Sequence, residues 1–251
     1  RDLANFLNRF HQSLHLGPVM VWFLGLVSFA WLVDHLLSVG LAFPKLRGWA
    51  ASFGVRRRAR GYKRIFDVHR ALALWLLPIT FVLAFSGVYF NWRTEFVTVV
   101  GALSPLTERA DLNRPARPEP LYNPPLSFAD VHRSLKSHAV DAIAYNPYKA
   151  LYWARLFDDD DLIDEGHRWV FIDAQSGAVV SDRHSSSGSA GDMLVALQYP
   201  VHSGKILGWA GRLAVFFAGI AVCVLVVSGL MQTWVKLKTR RRRPDRQAQR
   251  R

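Results

Sequence analysis

Three histidines stand where a polar segment gives way to a long apolar run: His15 in Leu14-His15-Leu16-Gly17, His69 in Asp67-Val68-His69-Arg70, and His202 in Val201-His202-Ser203-Gly204. Neutral imidazole is a usual axial ligand of haem iron, and an ionisable side chain near lipid is costly unless it is paired, solvated or liganded. Each of the three is therefore a candidate ligand. A b-type haem needs no cysteine attachment motif, and Cys223, the only cysteine, supplies none. His15 and His202 open different apolar runs at one depth, so packed neighbouring helices could aim both at one iron. His11 lies one helical turn before His15 on the same face, as a competing ligand or a partner for a haem propionate. Taken singly, an interfacial histidine more often makes an ordinary headgroup or backbone contact. The matched pair, each followed two residues on by glycine, is what favours a shared cofactor.

The elements that must position these residues are membrane helices. From Ala71 to Phe90 no residue carries a formal charge, and about 20 residues at about 1.5 Å each match a hydrocarbon core of about 30 Å. Similar runs cover 16–43 and 206–235, with the central span at 71–91. Nine Lys or Arg fall in 43–70 and nine in 235–251, against ten in 92–201, where there are 15 acids. The positive-inside rule then predicts a basic cytoplasmic loop at 44–70, a basic cytoplasmic tail at 236–251, and residues 92–201 outside. His69 is placed at the inner mouth. His35 lies about 20 residues, or about 30 Å, below His15, near the inner side. It is a possible partner of His69, and Asp34 beside it either holds its ring or serves a proton path.

The formal net charge of +13 would suggest nucleic acid on a soluble surface. Its concentration beside membrane ends reads instead as a topology signal, with the Arg-rich tail able to touch anionic membrane lipid. No disulfide framework is possible, and no P-loop, G-x-S-x-G, H-E-x-x-H or dinucleotide fingerprint is present, which argues against hydrolysis and nucleotide chemistry. Gly204, Gly208 and Gly211 leave two readings open, close approach of a flat ring or a plain helix-packing face.

Residues 1–15 place Leu3, Phe6, Leu7, Phe10 and Leu14 at helical spacing, an amphipathic end of a periplasmic segment. The prolines in 92–125 predict an extended linker. Within 126–184, Ser127 and Asp130 form a capping-box pattern before one short helix. Strand-like runs follow at Val140 to Tyr145, Leu151 to Phe157, Arg168 to Asp173 and Ala178 to Ser181, so a small α+β domain is expected. The run Asp158 to Asp161 lacks the glycine and spaced ligands of a calcium loop and reads as a solvated connection. Ser185 to Gly191 predicts a flexible joint within a linker at 185–205.

The entries Leu-His-Leu-Gly and Val-His-Ser-Gly, the FDVHRALALWLLP and AFSGVYFN of the central span, the FPKLRGW after the first span and the SGLMQTWVK of the last resemble the PepSY-associated transmembrane proteins of bacterial inner membranes. The resemblance covers nearly the whole chain. It implies a membrane all-α helical bundle, with three transmembrane helices here and four in a full protein, plus a small α+β periplasmic PepSY-like domain at 126–184. Since the chain begins with Arg1 and an N-terminus outside needs an earlier helix, a preceding helix is expected. Some relatives, encoded with siderophore uptake systems, are haem-containing ferric reductases, which implies haem b, a ferric siderophore substrate and a quinol or cytoplasmic electron donor. By the same analogy His69 pairs with a histidine of that preceding helix. The alternative is a non-enzymatic membrane sensor or regulator whose outer domain binds a peptide or protein.

Overall fold

Apolar stretches too long for a small soluble core fold into helices that keep most of their side chains on the outside. The computed structural model describes residues 2–42, 49–107, 113–185 and 187–241, in two units, Arg1–Trp92 with Ala210–Arg251 and Arg93–Trp209. The Phe43 to Gly48 part of the basic loop and the Arg-rich tail from 242 onward lie outside the described residues.

The helical unit holds α1 (Asp2–Ser13), α2 (Pro18–Ala42) and α3 (Tyr62–Asn91), with nearly all of the last helix of the chain, Gly208–Arg241. Among the described residues three helices are long and apolar enough to cross a membrane. Trp22, Phe23, Leu36 and Leu37 of α2, like Phe216, Phe217, Val226 and Val227 of the last helix, are exposed. In water such a belt would be untenable; in lipid it is the solvent-facing surface. Pro18 starts α2 at the position where a missing N–H costs nothing. α3 begins nine residues before the span at 71–91, because the basic run and His69 are already helical. The onset of uncharged sequence marks where the hydrocarbon begins, not where the helix does.

α3 turns small and polar groups inward, among them Ala71, Thr80, Ala84, Ser86 and Gly87. These let α2 approach closely. A Cβ on Gly87 would stand 2.9 Å from the Ser28 hydroxyl, and one on Gly25 would overlap the Trp92 indole. That indole donates to the Trp22 carbonyl (3.0 Å).

The second unit contains α4 (Arg93–Leu103), α5 (Phe128–Ser134), strands β1 (Val140–Asn146), β2 (Leu151–Leu156), β3 (Arg168–Asp173) and β4 (Val179–His184), and α6 (Ala190–His202). The last helix is numbered α7. The strands form an antiparallel meander in the order β1-β2-β3-β4. Strand alternation divides the sheet's residues between two faces. Tyr152, Ala154, Leu156, Val170 and Ile172 pack with Val131 and Leu135 around α5 as the core. The opposite face carries Trp153, Trp169 and Phe171, with Ser181 and Arg183 in register beside the last two. The capping box at Ser127 and Asp130 starts α5 as its sequence predicts.

Two linkers depart from their expected form. The proline-rich segment is extended but docked: Leu121 and Leu126 donate backbone N–H groups to Pro147 and Ala174 carbonyls, and the Tyr152 hydroxyl donates to the Leu126 carbonyl (2.8 Å). Proline removes donors, and the residues between the prolines supply the missing ones. Residues 190–202, expected within a linker, form α6 instead. Ser189 and Asp192 make a capping box there, a signal hidden by the neighbouring Ser and Gly residues. α4 likewise occupies the start of the expected linker at 92–125.

Candidate functional site

His69 sits on α3 facing α7. Its Nδ1 lies 2.8 Å from the Ser228 hydroxyl, which itself lies 3.0 Å from the Leu225 carbonyl one turn back. A carbonyl only accepts; when the serine proton goes to Leu225, Ser228 Oγ accepts from His69 Nδ1–H. The neutral ring then keeps its lone pair on Nε2, the form in which an imidazole ligates a metal, with its other nitrogen held by an outer partner. Gly229 adjoins the ring: a Cβ there would stand 3.5 Å from His69 Cε1, an ordinary contact. Leu225, Ser228, Gly229 and Gln232 recur at i, i+3, i+4 and i+7, so they share one face of α7. On that face Gln232 Nε2 is buried without a hydrogen-bond partner among the described residues.

The end of α3 that carries His69 is anchored by a group the sequence motifs did not single out. Asp67 is fully buried and takes a two-pronged pair from Arg56, Nε to Oδ2 at 2.7 Å and Nη2 to Oδ1 at 2.9 Å. Arg70 lies 3.6 Å from the other side of the carboxylate and donates to the Ser52 carbonyl (3.1 Å). The Trp75 indole donates to Phe53 (3.2 Å). The basic loop is thereby tied to the first turns of α3. An acid between two aromatics and three cations is the only sequence signal that would have pointed to this.

His35 has a different role. It is buried, with Nδ1 2.7 Å from the Trp31 carbonyl and Nε2 2.8 Å from the Thr80 hydroxyl of α3. Nδ1 must donate to the carbonyl. In the neutral ring Thr80 donates to Nε2; in the charged ring Nε2 donates, and the Thr80 proton turns to the Leu76 carbonyl at 2.9 Å. Either way both nitrogens are engaged, Nδ1 within α2 and Nε2 across to α3, so this arrangement leaves none for a cofactor or for His69. Asp34 does not hold the ring: it is exposed, because the residue before His35 is rotated by about 100° around the helix.

His11 and His15 belong to the helical unit. His11 is exposed on α1. His15 follows α1 in a turn where Leu14 and His15 both take positive φ (48° and 59°). Its ring lies 4.5 Å from that of Phe6 and 6.3 Å from that of Phe10, on the apolar side of α1. His202 belongs to the second unit as the last residue of α6, not the first of a span. Gly204 at φ 72° and Gly208 at φ 57° then turn the chain. Their backbone conformation, which other residues adopt only with strain, accounts for both glycines without a ring or a packed helix against them.

A polar network positions this corner. Lys205 is ion-paired with Glu165 and lies 2.8 Å from the Tyr199 hydroxyl, and Arg155 joins Glu165 (3.3 Å) to Asp141 (2.7 Å). Burial pushes the Glu165 pKa up, but Lys205 and Arg155 outweigh it and hold the carboxyl below its ordinary value. The acidic loop, expected to be solvated, is organised from within. Asp161 is turned inward, accepting from the backbone N–H groups of Asp158 (2.9 Å) and His167 (2.8 Å) and lying 3.0 Å from His184 Nε2. His167 Nδ1 is buried without a hydrogen bond among the described residues, and burial lowers that histidine's pKa against the opposing pull of Asp161. Among the described residues no group of three or more His, Cys, Asp or Glu is arranged to hold a metal ion.

The donor set tests whether haem fits. His69 offers a ring nitrogen with its lone pair directed by the Ser228 contact, beside a glycine. His35 does not fit. His11 and His15 are exposed, and His202 closes α6. Among the described residues the helical unit thus presents His69 as an oriented ligand.

Comparison with known families agrees with this architecture. The PepSY-associated TM region matches residues 1–236, and the chain belongs to that family. It is a multi-pass membrane protein, a helical bundle with a small α+β domain. No curated protein matches it.

Proposed function

We propose that this PepSY-associated protein is a membrane electron-transfer protein that holds b-type haem and reduces a ferric complex, with ferric siderophores as the substrate class. The observation that carries the reading is the chain from His69 Nδ1 through Ser228 to the Leu225 carbonyl, a geometry that suits a neutral ring with its lone pair on Nε2. The reaction is the one-electron reduction of Fe(III) to Fe(II), the electron coming from a membrane quinol or a cytoplasmic reductant. Haem, when bound, supplies the one-electron carrier.

The chain's own residues hold and orient. His69 is the ligand on α3, and Ser228 fixes its tautomer. Asp67, Arg56 and Arg70 fix the helix end that carries it, and His35 braces α2 against α3. The Lys and Arg counts support a basic loop and tail in the cytoplasm and the sheet unit in the periplasm of a bacterial inner membrane.

The test is a reduced-minus-oxidised optical spectrum of the purified chain from haem-replete cells. Haem bands that reduce and reoxidise are expected. A colourless, folded protein would contradict the reading and leave a non-enzymatic sensor in its place.

A further inference from the structure

The second unit contains a cavity of about 450 Å³ with no histidine in its described lining. It lies against the aromatic face of the sheet, where Trp169 and Phe171 stack at 6.4 Å and 14°. Val97 of α4, with Val195 and Ala196 of α6, continues the apolar wall. The size is that of a small-molecule site, about 300 to 1,000 Å³, and so is the composition, a mainly apolar lining with a few placed polar groups.

Those polar groups are mostly donors. Among the described residues Arg93 and Arg183 line the cavity, with Asp192 as the acid. The Asp192 carboxylate is already occupied, by the Thr107 backbone N–H (3.1 Å) and hydroxyl (2.8 Å), the Ser189 N–H (3.0 Å) and Arg183 (3.3 Å). Arg183 uses only Nη2 for Asp192 and for the Ser187 carbonyl (3.3 Å), and no bond to its Nε or Nη1 is recorded among the described residues. Ser185 Oγ, also on the lining, is buried without a hydrogen-bond partner among the described residues. A guanidinium with donors to spare and an unanswered hydroxyl call for an acceptor-only group. The two oxygens of a carboxylate can answer both groups at once.

We propose that this cavity binds a small carboxylate with an apolar, aromatic-sized body, its charge at Arg183 and Ser185 and its body against Trp169 and Phe171. The same chemistry is offered by a free organic acid and by the C-terminal residue of a hydrophobic peptide. The site goes beyond the electron-transfer reading and stands or falls separately from it, since it uses none of the haem candidates.

The test is equilibrium dialysis of the full chain in lipid nanodiscs against radiolabelled N-acetylphenylalanine. Empty nanodiscs serve as the blank, and circular dichroism confirms that each variant is folded. Saturable binding is expected. N-acetylphenylalaninamide, which has the same body without the charge, should bind at least about tenfold more weakly, as should the acid to Arg183→Gln. Arg183 also braces Asp192, so Ala196→Phe, which fills the cavity and leaves the charges in place, is the second variant and should abolish binding. Acetyl-Ala-Ala-Phe binding more tightly than the single residue would assign the site to a peptide C-terminus, and equal or weaker binding to a free acid. Absence of saturable binding, equal affinity for acid and amide, or undiminished binding by folded Ala196→Phe would overturn the proposal.

Discussion

The two units use polar groups in opposite ways. In the helical unit the polar contacts from one span to another are single: His69 on Ser228 and His35 on Thr80. In the sheet unit single carboxylates gather several partners, as Asp161, Asp173 and Asp192 do, over a closed apolar core. Lipid supplies no substitute hydrogen bonds, so a lone contact inside it fixes one geometry and has no backup. In the sheet unit a lost bond is shared out among neighbours and water. The candidate ligand therefore sits in the unit where one substitution changes one geometric fact.

The contrast is sharpest in the core of the sheet unit, where apolar burial rather than any polar contact should govern stability. Leu156 is fully buried there, and Leu156→Ala should cost about 3 kcal/mol in chemical denaturation followed by the sheet signal. A loss below about 1 kcal/mol would mean that the polar networks, not the core, hold this unit. Next in size is Arg56→Ala, which leaves the buried Asp67 carboxylate with the backbone N–H of residue 56 (3.3 Å) and Arg70 at 3.6 Å. It should lower resistance to detergent denaturation, whereas removing the acid as well should restore part of the loss. Smaller still is Thr80→Val, which takes one hydrogen bond from His35. Contacts between membrane helices average about 0.6 kcal/mol, and a loss of that order is expected.

Acidification separates the units in another way. His167 has its pKa lowered by burial, so the stability its neutral form contributes is complete above the ordinary histidine value of about 6.5 and is lost as pH falls through the folded value. For Asp173 and Asp192 burial acts to raise the pKa, but the N–H groups of Ser176 and Ser189, with their other partners, hold it below its usual value. Their contribution is therefore present above the ordinary carboxylate range and lost below it. Melting of the sheet unit should fall in two stages, and His167→Gln should remove the first stage alone. A single stage below about pH 4 in the unaltered protein would contradict this.

Much of the architecture was legible in the sequence because its signals are local. Uninterrupted apolar length marked the spans, alternation marked the strands, and Ser127 with Asp130 marked the start of α5. What stayed hidden depended on tertiary partners. The burial of Asp67 is decided by Arg56, eleven residues away in a loop with no periodicity. The docking of the proline-rich segment is decided by tyrosines of the sheet. α6 was masked because a capping serine and a flexible Ser-Gly run have the same composition. Among the site candidates, His69 was visible from its place at the start of an apolar run, but its Ser228 partner lies 159 positions later. The separate role of His35 needed the Thr80 contact across two helices.

Ligation of haem iron by His69 Nε2, with Ser228 orienting the ring, is tested by comparing haem content and low-spin optical spectra of the unaltered protein, His69→Ala and Ser228→Ala, all purified in the same way. His69→Ala should lose the low-spin signature of one haem while the helical fold persists. Ser228→Ala should keep that haem with a shifted reduction potential, because the hydrogen bond that tunes the ligand is gone. Unchanged haem content and spectrum in folded His69→Ala would contradict the account.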